Sequence, residues 1–219
     1  MYQLLMKGRT LRTFYRRSTF CCWMFTCVLF ISGCATARHA VPMNLLGTTR
    51  VCGMQGIRAF SGIPSDAFKK DFLNLLEQEK KKGTFGSGNT YSVLAISGGA
   101  ANGAYGAGVL SGWSKAGSRP EFKIVTGIST GAIIAPLAFL GSGYDDTLKE
   151  FYTRYSTKDI MKIKLSGNCL ASTEPLERLI EKYADERLLK KIAIEHKKGR
   201  RLYVGTTNLD AQRLVIWDM

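Results

Sequence analysis

The chain is poor in the residues that build metal and imidazole chemistry. It holds two histidines, His39 and His196, and no Cys-x-x-Cys pair. Four of its six cysteines fall within the first 34 residues, which leaves Cys52 and Cys169. Two thiols make no disulfide scaffold and are too few soft ligands for zinc, so neither a metal nor any other cofactor is expected. No Asp-Gly pair occurs anywhere, and the first 33 residues contain no acid. No repeat of solenoid length is present. Zinc-finger, RNP-like and helix-turn-helix signatures are also missing, so the formal net charge of +14 is not read as a nucleic-acid footprint.

What the N-terminus does contain is a basic start, with Lys7, Arg9, Arg12, Arg16 and Arg17, followed by an apolar run over 18–33. That run of 16 residues is short for a bilayer span, which needs ~20. It ends in Ile31-Ser-Gly-Cys34, which resembles the lipobox of bacterial lipoproteins. The resemblance implies a signal peptide over 1–33, cleavage before Cys34 and acyl chains on that cysteine. Each buried methylene of those chains would strengthen membrane association by about 0.8 kcal/mol. An uncleaved anchor or an ordinary signal peptide is the plainer alternative. Ala35 lacks the Asp that would suggest retention at the inner membrane, so the expected location is the bacterial outer membrane. Without the leader the chain carries 26 Lys plus Arg against 17 Asp plus Glu, a net +9. Such a charge favours an anionic surface, here the membrane, although clusters such as 79–83 and 196–201 commonly serve as solvated helix ends. Protein partners are not legible.

Residues 34–63 lack periodicity and read as a tether. The remaining 64–219 suffice for one domain. Phe68, Phe72, Leu75, Leu76 and Glu79 recur at helical spacing, with Ser65 or Asp66 as cap and Gly83 as stop. The apolar stretches 91–97 and 122–127 suit buried strands, each entering a glycine turn and then a helix, and Pro136 is expected to kink the second helix. Segments 144–156, 172–184 and 185–199 read as helices, and 201–209 and 213–219 as two strands around a turn at 208–212. Strands alternating with helices predict an α/β fold with a mostly parallel sheet.

Two glycine turns carry the chemistry. Gly127-Ile128-Ser129-Thr130-Gly131 fits the nucleophile elbow, in which a strand turns so sharply into a helix that the serine is held strained with its hydroxyl exposed. The plainer reading is a helix-capping turn. The other turn runs Gly98-Gly99-Ala100-Ala101-Asn102-Gly103. It lacks the spacing of a dinucleotide fingerprint, and Ala104 stands where a Walker loop needs Lys. Its free N–H groups at a helix start could face an anion, and beside a nucleophilic serine that anion would be the oxyanion of acyl transfer.

Residues 96–110, followed about twenty residues later by Gly-Ile-Ser-Thr-Gly, resemble the patatin-like phospholipases, with 206–217 similar to that family's next core hairpin. The resemblance implies a three-layer fold, Ser129 as nucleophile, and an oxyanion hole from the N–H groups of Gly98, Gly99 and Ala100. It also implies a lipid-anchored acyl hydrolase acting on membrane lipid. The family usually has glycine where this chain has Ala100 and often a basic residue at Asn102. A methyl at Ala100 is tolerable only with φ below zero. The family's base is an aspartate in an Asp-Gly-Gly or Asp-Gly-Ala motif, which this sequence does not contain; Asp210 and Asp218 fall in the final hairpin. A triad of Ser129, Asp185 and His196 has the required order, but His196 sits at a helix end, where a dipole role is the simpler account. These features predict a patatin-like domain incomplete at its C-terminus, with little or no turnover of its own. A fold retained for binding lipid or a partner, and a purely structural envelope lipoprotein, are the alternatives.

Overall fold

The structure is a computed structural model and describes residues 41–163 and 171–219, apart from 47, 48, 50, 52, 84–87 and 89. The expected signal peptide 1–33, the lipidation site Cys34, His39, Cys52 and Cys169 lie outside the described residues. Seven strands are described: β1 (Arg58–Phe60), β2 (Ser92–Ile96), β3 (Phe122–Ile128), β4 (Lys162–Ile163), β5 (Ala171–Ser172), β6 (Arg201–Asn208) and β7 (Arg213–Asp218). The helices are α1 (Asp66–Lys81), α2 (Gly103–Lys115), α3 (Thr130–Leu140), α4 (Asp145–Arg154), α5 (Thr157–Ile160), α6 (Glu174–Tyr183) and α7 (Glu186–Lys197). No helix among the described residues is long and apolar enough to cross a membrane.

Local chemistry accounts for the element ends. Ser65 Oγ accepts from the Phe68 amide to start α1, and Asp185 Oδ1 accepts from the Leu188 amide at 2.8 Å to start α7. Gly83 and Gly199, at φ +70° and +84°, follow the ends of these helices. Helix α3 is apolar on every side and accordingly buried: Ile134, Ala135 and Phe139 have no exposed surface. Pro136 sits within α3, and the helix runs on unbroken to Leu140. Two arginines take up carbonyls at its last turn. Arg119 Nη2 donates to Ala138 O at 3.0 Å, and Arg200 Nη2 donates to Phe139 O while its guanidinium lies 4.3 Å from the Phe139 ring centre.

The main sheet has the order β1-β7-β6-β3-β2. The expectation of a mostly parallel sheet is wrong. The pairs β2–β3 and β3–β6 are parallel, whereas β6–β7 and β7–β1 are antiparallel, so the sheet is mixed. The cause is connection length: only residues 209–212 join β6 to β7. A parallel crossover needs roughly a dozen residues or more, and a short link forces a hairpin. The other antiparallel edge, β1, lies inside the stretch expected to be a tether.

One face of the sheet carries the core, where Val125 and Leu202 meet Ala107 and Leu110 of α2, Ile134 and Phe139 of α3, Leu148 of α4, and Leu188 and Ile192 of α7. Burying each of the larger side chains contributes about 1.5–3 kcal/mol. Helix α1 covers the opposite face. Phe68 stacks on Tyr203 at 5.7 Å, and fully buried Arg201 forms a two-toothed ion pair with Asp71. On that face β2 leaves Val93 61% exposed, and its outer edge has no strand partner among the described residues.

Candidate active site

Both glycine turns leave the C-terminal ends of adjacent parallel strands, the place where open α/β sheets put their ligand sites. Ser129 stands between β3 and α3 with φ +56° and ψ −124°, and it is exposed. A β-substituted residue in that region costs about 1–3 kcal/mol, so the surrounding packing must enforce the bend. Sterics show how. A methyl on Gly127 would lie 2.2 Å from Gly131 O, and one on Gly131 would lie 2.3 Å from Ile96 O. Only hydrogen fits at both positions, and α3 can start directly against the end of β2.

The second turn is brought onto the first. A methyl on Gly98 would lie 2.9 Å from Ser129 Cβ and 3.5 Å from Ser129 Oγ. Gly98 therefore borders the hydroxyl itself. After it, Ala100–Asn102 forms a single 3₁₀ turn that runs into α2. Ala100 has φ +49°, not the negative value its methyl would call for. The carbonyl of Gly99 accepts from the Asn102 amide at 2.9 Å, a local bond that holds the turn in this shape. Asn102 makes no side-chain cap of α2.

Three contacts here have no counterpart in the motif pattern. Thr130, the first residue of α3, is buried, and its Oγ1 lies 2.5 Å from the Tyr152 hydroxyl of α4. The Tyr152 hydroxyl also points to Thr130 O at 3.4 Å. A methyl on Gly103 would meet both hydroxyls at 2.5 Å, so Gly103 is small because this pair fills the space beside it. Burial pushes the Tyr152 phenol above its usual range, and the Thr130 hydrogen bond opposes that rise. The one sequence signal for Tyr152 is its place on the buried face of α4 with Leu148 and Phe151, at spacings of four and one.

No carboxylate or imidazole is hydrogen-bonded to Ser129 among the described residues. His196 is at the wrong end of the sheet. It neighbours Arg201, which donates to His196 O, and Arg201 pairs in register with Ile124. Ile124 precedes Ser129 by five residues, roughly 16 Å along a strand. His196 Nε2 instead faces Asp71 Oδ1 at 3.5 Å and Asp218 Oδ1 at 3.7 Å. These three are the described residues whose ligand atoms could converge on a cation, within 4.8 Å of one another, but Asp71 is already held by Arg201. Asp185 caps α7. Asp210 is in the β6–β7 turn, at the Ser129 end of the sheet.

A family model described as patatin-like phospholipase matches residues 94–215, more than half of the chain. The chain belongs to the patatin-like phospholipase family. No curated protein and no solved structure matches it. The family match runs from within β2 to the middle of β7 and therefore contains both glycine turns, Tyr152 and the turn of the hairpin. Membership gives the chain the hydrolase fold of that family.

Proposed function

We propose that this patatin-like chain carries the nucleophile and the oxyanion hole of a serine acyl hydrolase for fatty-acyl esters of membrane lipid. Ser129 Oγ attacks the ester carbonyl, the N–H groups of Gly98, Gly99 and Ala100 hold the oxyanion, the alcohol departs, and water releases the fatty acid. The observation that carries the reading is the meeting of Gly98 with a strained, exposed Ser129 at the start of α3. Donors fixed in advance beside developing negative charge are commonly the largest contribution to acyl transfer, about 10²–10³ in rate for each. The helix start adds a partial positive charge at the same place.

A serine hydroxyl without a base is a weak nucleophile. With no Asp-Gly in the sequence and no described base bonded to Ser129, this 219-residue chain should turn over little or no ester. Ser129 should still react slowly and stoichiometrically with a fluorophosphonate, its oxygen displacing fluoride while its proton passes to solvent. Mass spectrometry of the labelled chain tests this: a single adduct on Ser129, absent from Ser129→Ala, supports the reading. Labelling at the rate of ordinary serine esterases would show that a base is present after all. No labelling of Ser129 even at alkaline pH would favour a fold kept for binding, a reading that the left-handed Ala100 supports.

We further propose attachment to the bacterial envelope through lipid on Cys34, on the strength of the leader pattern and the cationic excess. Mass spectrometry of the protein extracted from membranes, with and without Cys34→Ser, tests that separately.

A further inference from the structure

We propose that Tyr152 is a positioning residue for Ser129: through the Thr130 hydroxyl it holds the elbow and the start of α2 together, keeping the oxyanion donors aligned with the nucleophile. The inference rests on the acyl-hydrolase reading above. Its basis is a junction of three elements at one point. Thr130 directly follows Ser129, Tyr152 comes from α4, and Gly103 ends the glycine turn that begins beside Ser129 at Gly98. The two hydroxyls are 2.5 Å apart, and either one would touch a methyl on Gly103.

Each part of this junction is restrained from behind. Phe151 packs edge-on against the Tyr152 ring at 5.3 Å, and Leu148, one turn earlier on α4, is in the main core. The phenol therefore projects from a fixed helix. Thr130 is buried, so loss of the partner would leave its hydroxyl without this hydrogen bond at a cost in stability. Relaxation to satisfy it would rotate the first turn of α3, the element that sets the direction of Ser129. A displacement of about 1 Å in such a place can cost about 10²-fold in rate.

The test measures fluorophosphonate labelling of the full chain, separating the probe's binding constant from the first-order rate of phosphonylation, alongside thermal unfolding. Tyr152→Phe and Thr130→Val each keep shape and remove one hydroxyl. The proposal expects the phosphonylation rate to fall about ten- to a hundredfold in both, with probe binding little changed. Thr130→Ser, which keeps the hydroxyl, should restore most of the rate lost in Thr130→Val. The double variant should be no slower than the worse single one, because both act through the same bond. If the variants melt earlier but label at the unchanged rate, Tyr152 is only a packing residue and the proposal is overturned. Failure of the unchanged chain to label at Ser129 overturns the hydrolase reading, and this inference falls with it. Should Tyr152→Phe fail to fold, Thr130→Val against Thr130→Ser carries the same decision.

Discussion

Gly98 approaches Ser129 so closely that a methyl group on the glycine would sit 2.9 Å from the serine Cβ. Two loops separated by some thirty residues in the chain meet here because their strands are parallel neighbours that end together, Ile96 opposite Gly127. The contact predicts a specific loss. Gly98→Ala keeps its N–H but should push the turn off Ser129, leaving the core intact yet slowing phosphonylation by about 10²-fold, the scale of a misplacement of about 1 Å. An unchanged rate in a folded variant would separate the glycine turn from the chemistry.

Glycines elsewhere make a controlled contrast. Methyl groups on Gly127 or Gly131 would press on backbone oxygens at 2.2 and 2.3 Å, atoms that cannot swing away as a side chain can. Each alanine variant should lose about 3 kcal/mol or more in urea unfolding, at or beyond the upper end of ordinary overpacking. Gly112, inside α2, has nothing beyond its chain neighbours and its own helix backbone within 4 Å of where its methyl would be. Gly112→Ala should gain up to about 1 kcal/mol from helix propensity alone.

Arg201 is fully buried, and its charge is met by the carboxylate of Asp71. Asp71→Asn would leave that charge without its counterion. Stability should fall by about 3–5 kcal/mol, the typical result of removing one partner of a buried pair. A loss below about 1 kcal/mol, read from denaturant midpoints, would show that α1 is held mainly by Phe68 on Tyr203.

Tyr203 provides the pH test. Burial, together with the charges of Asp218 and Asp71, pushes its phenol up to about 12. An unfolded tyrosine ionises near pH 10. The folded pKa is the higher one, so the contribution to stability is complete below about pH 10 and is lost as pH rises toward 12. Between those values wild type should lose stability more steeply than Tyr203→Phe. Parallel slopes would contradict the burial of the phenol.

The elements built from local chemistry could be read in the sequence. Ser65, Gly83, Asp185 and Gly199 act within a turn of where they stand, and the elbow's small residues follow from the contact of β3 with α3. The β6–β7 hairpin was also legible in its short turn, but the alternation of strands and helices outweighed it in the expectation of a mostly parallel sheet. What could not be read depends on partners far along the chain. The pairing of β1 with β7 joins residues about 155 apart. Ala100 adopts φ +49° because its turn is shaped by the Gly99–Asn102 bond and its junction with α2, while the residue type argued for a negative φ. The Thr130–Tyr152 bond spans 22 residues and has no motif to announce it.

The fit of the glycine turn around Ser129 can be observed in a crystal structure of the chain phosphonylated on Ser129. The phosphoryl oxygen should lie about 2.7–3.1 Å from the amide nitrogens of Gly98, Gly99 and Ala100. An adduct whose oxygen faces solvent, with those amides turned away, would contradict that fit.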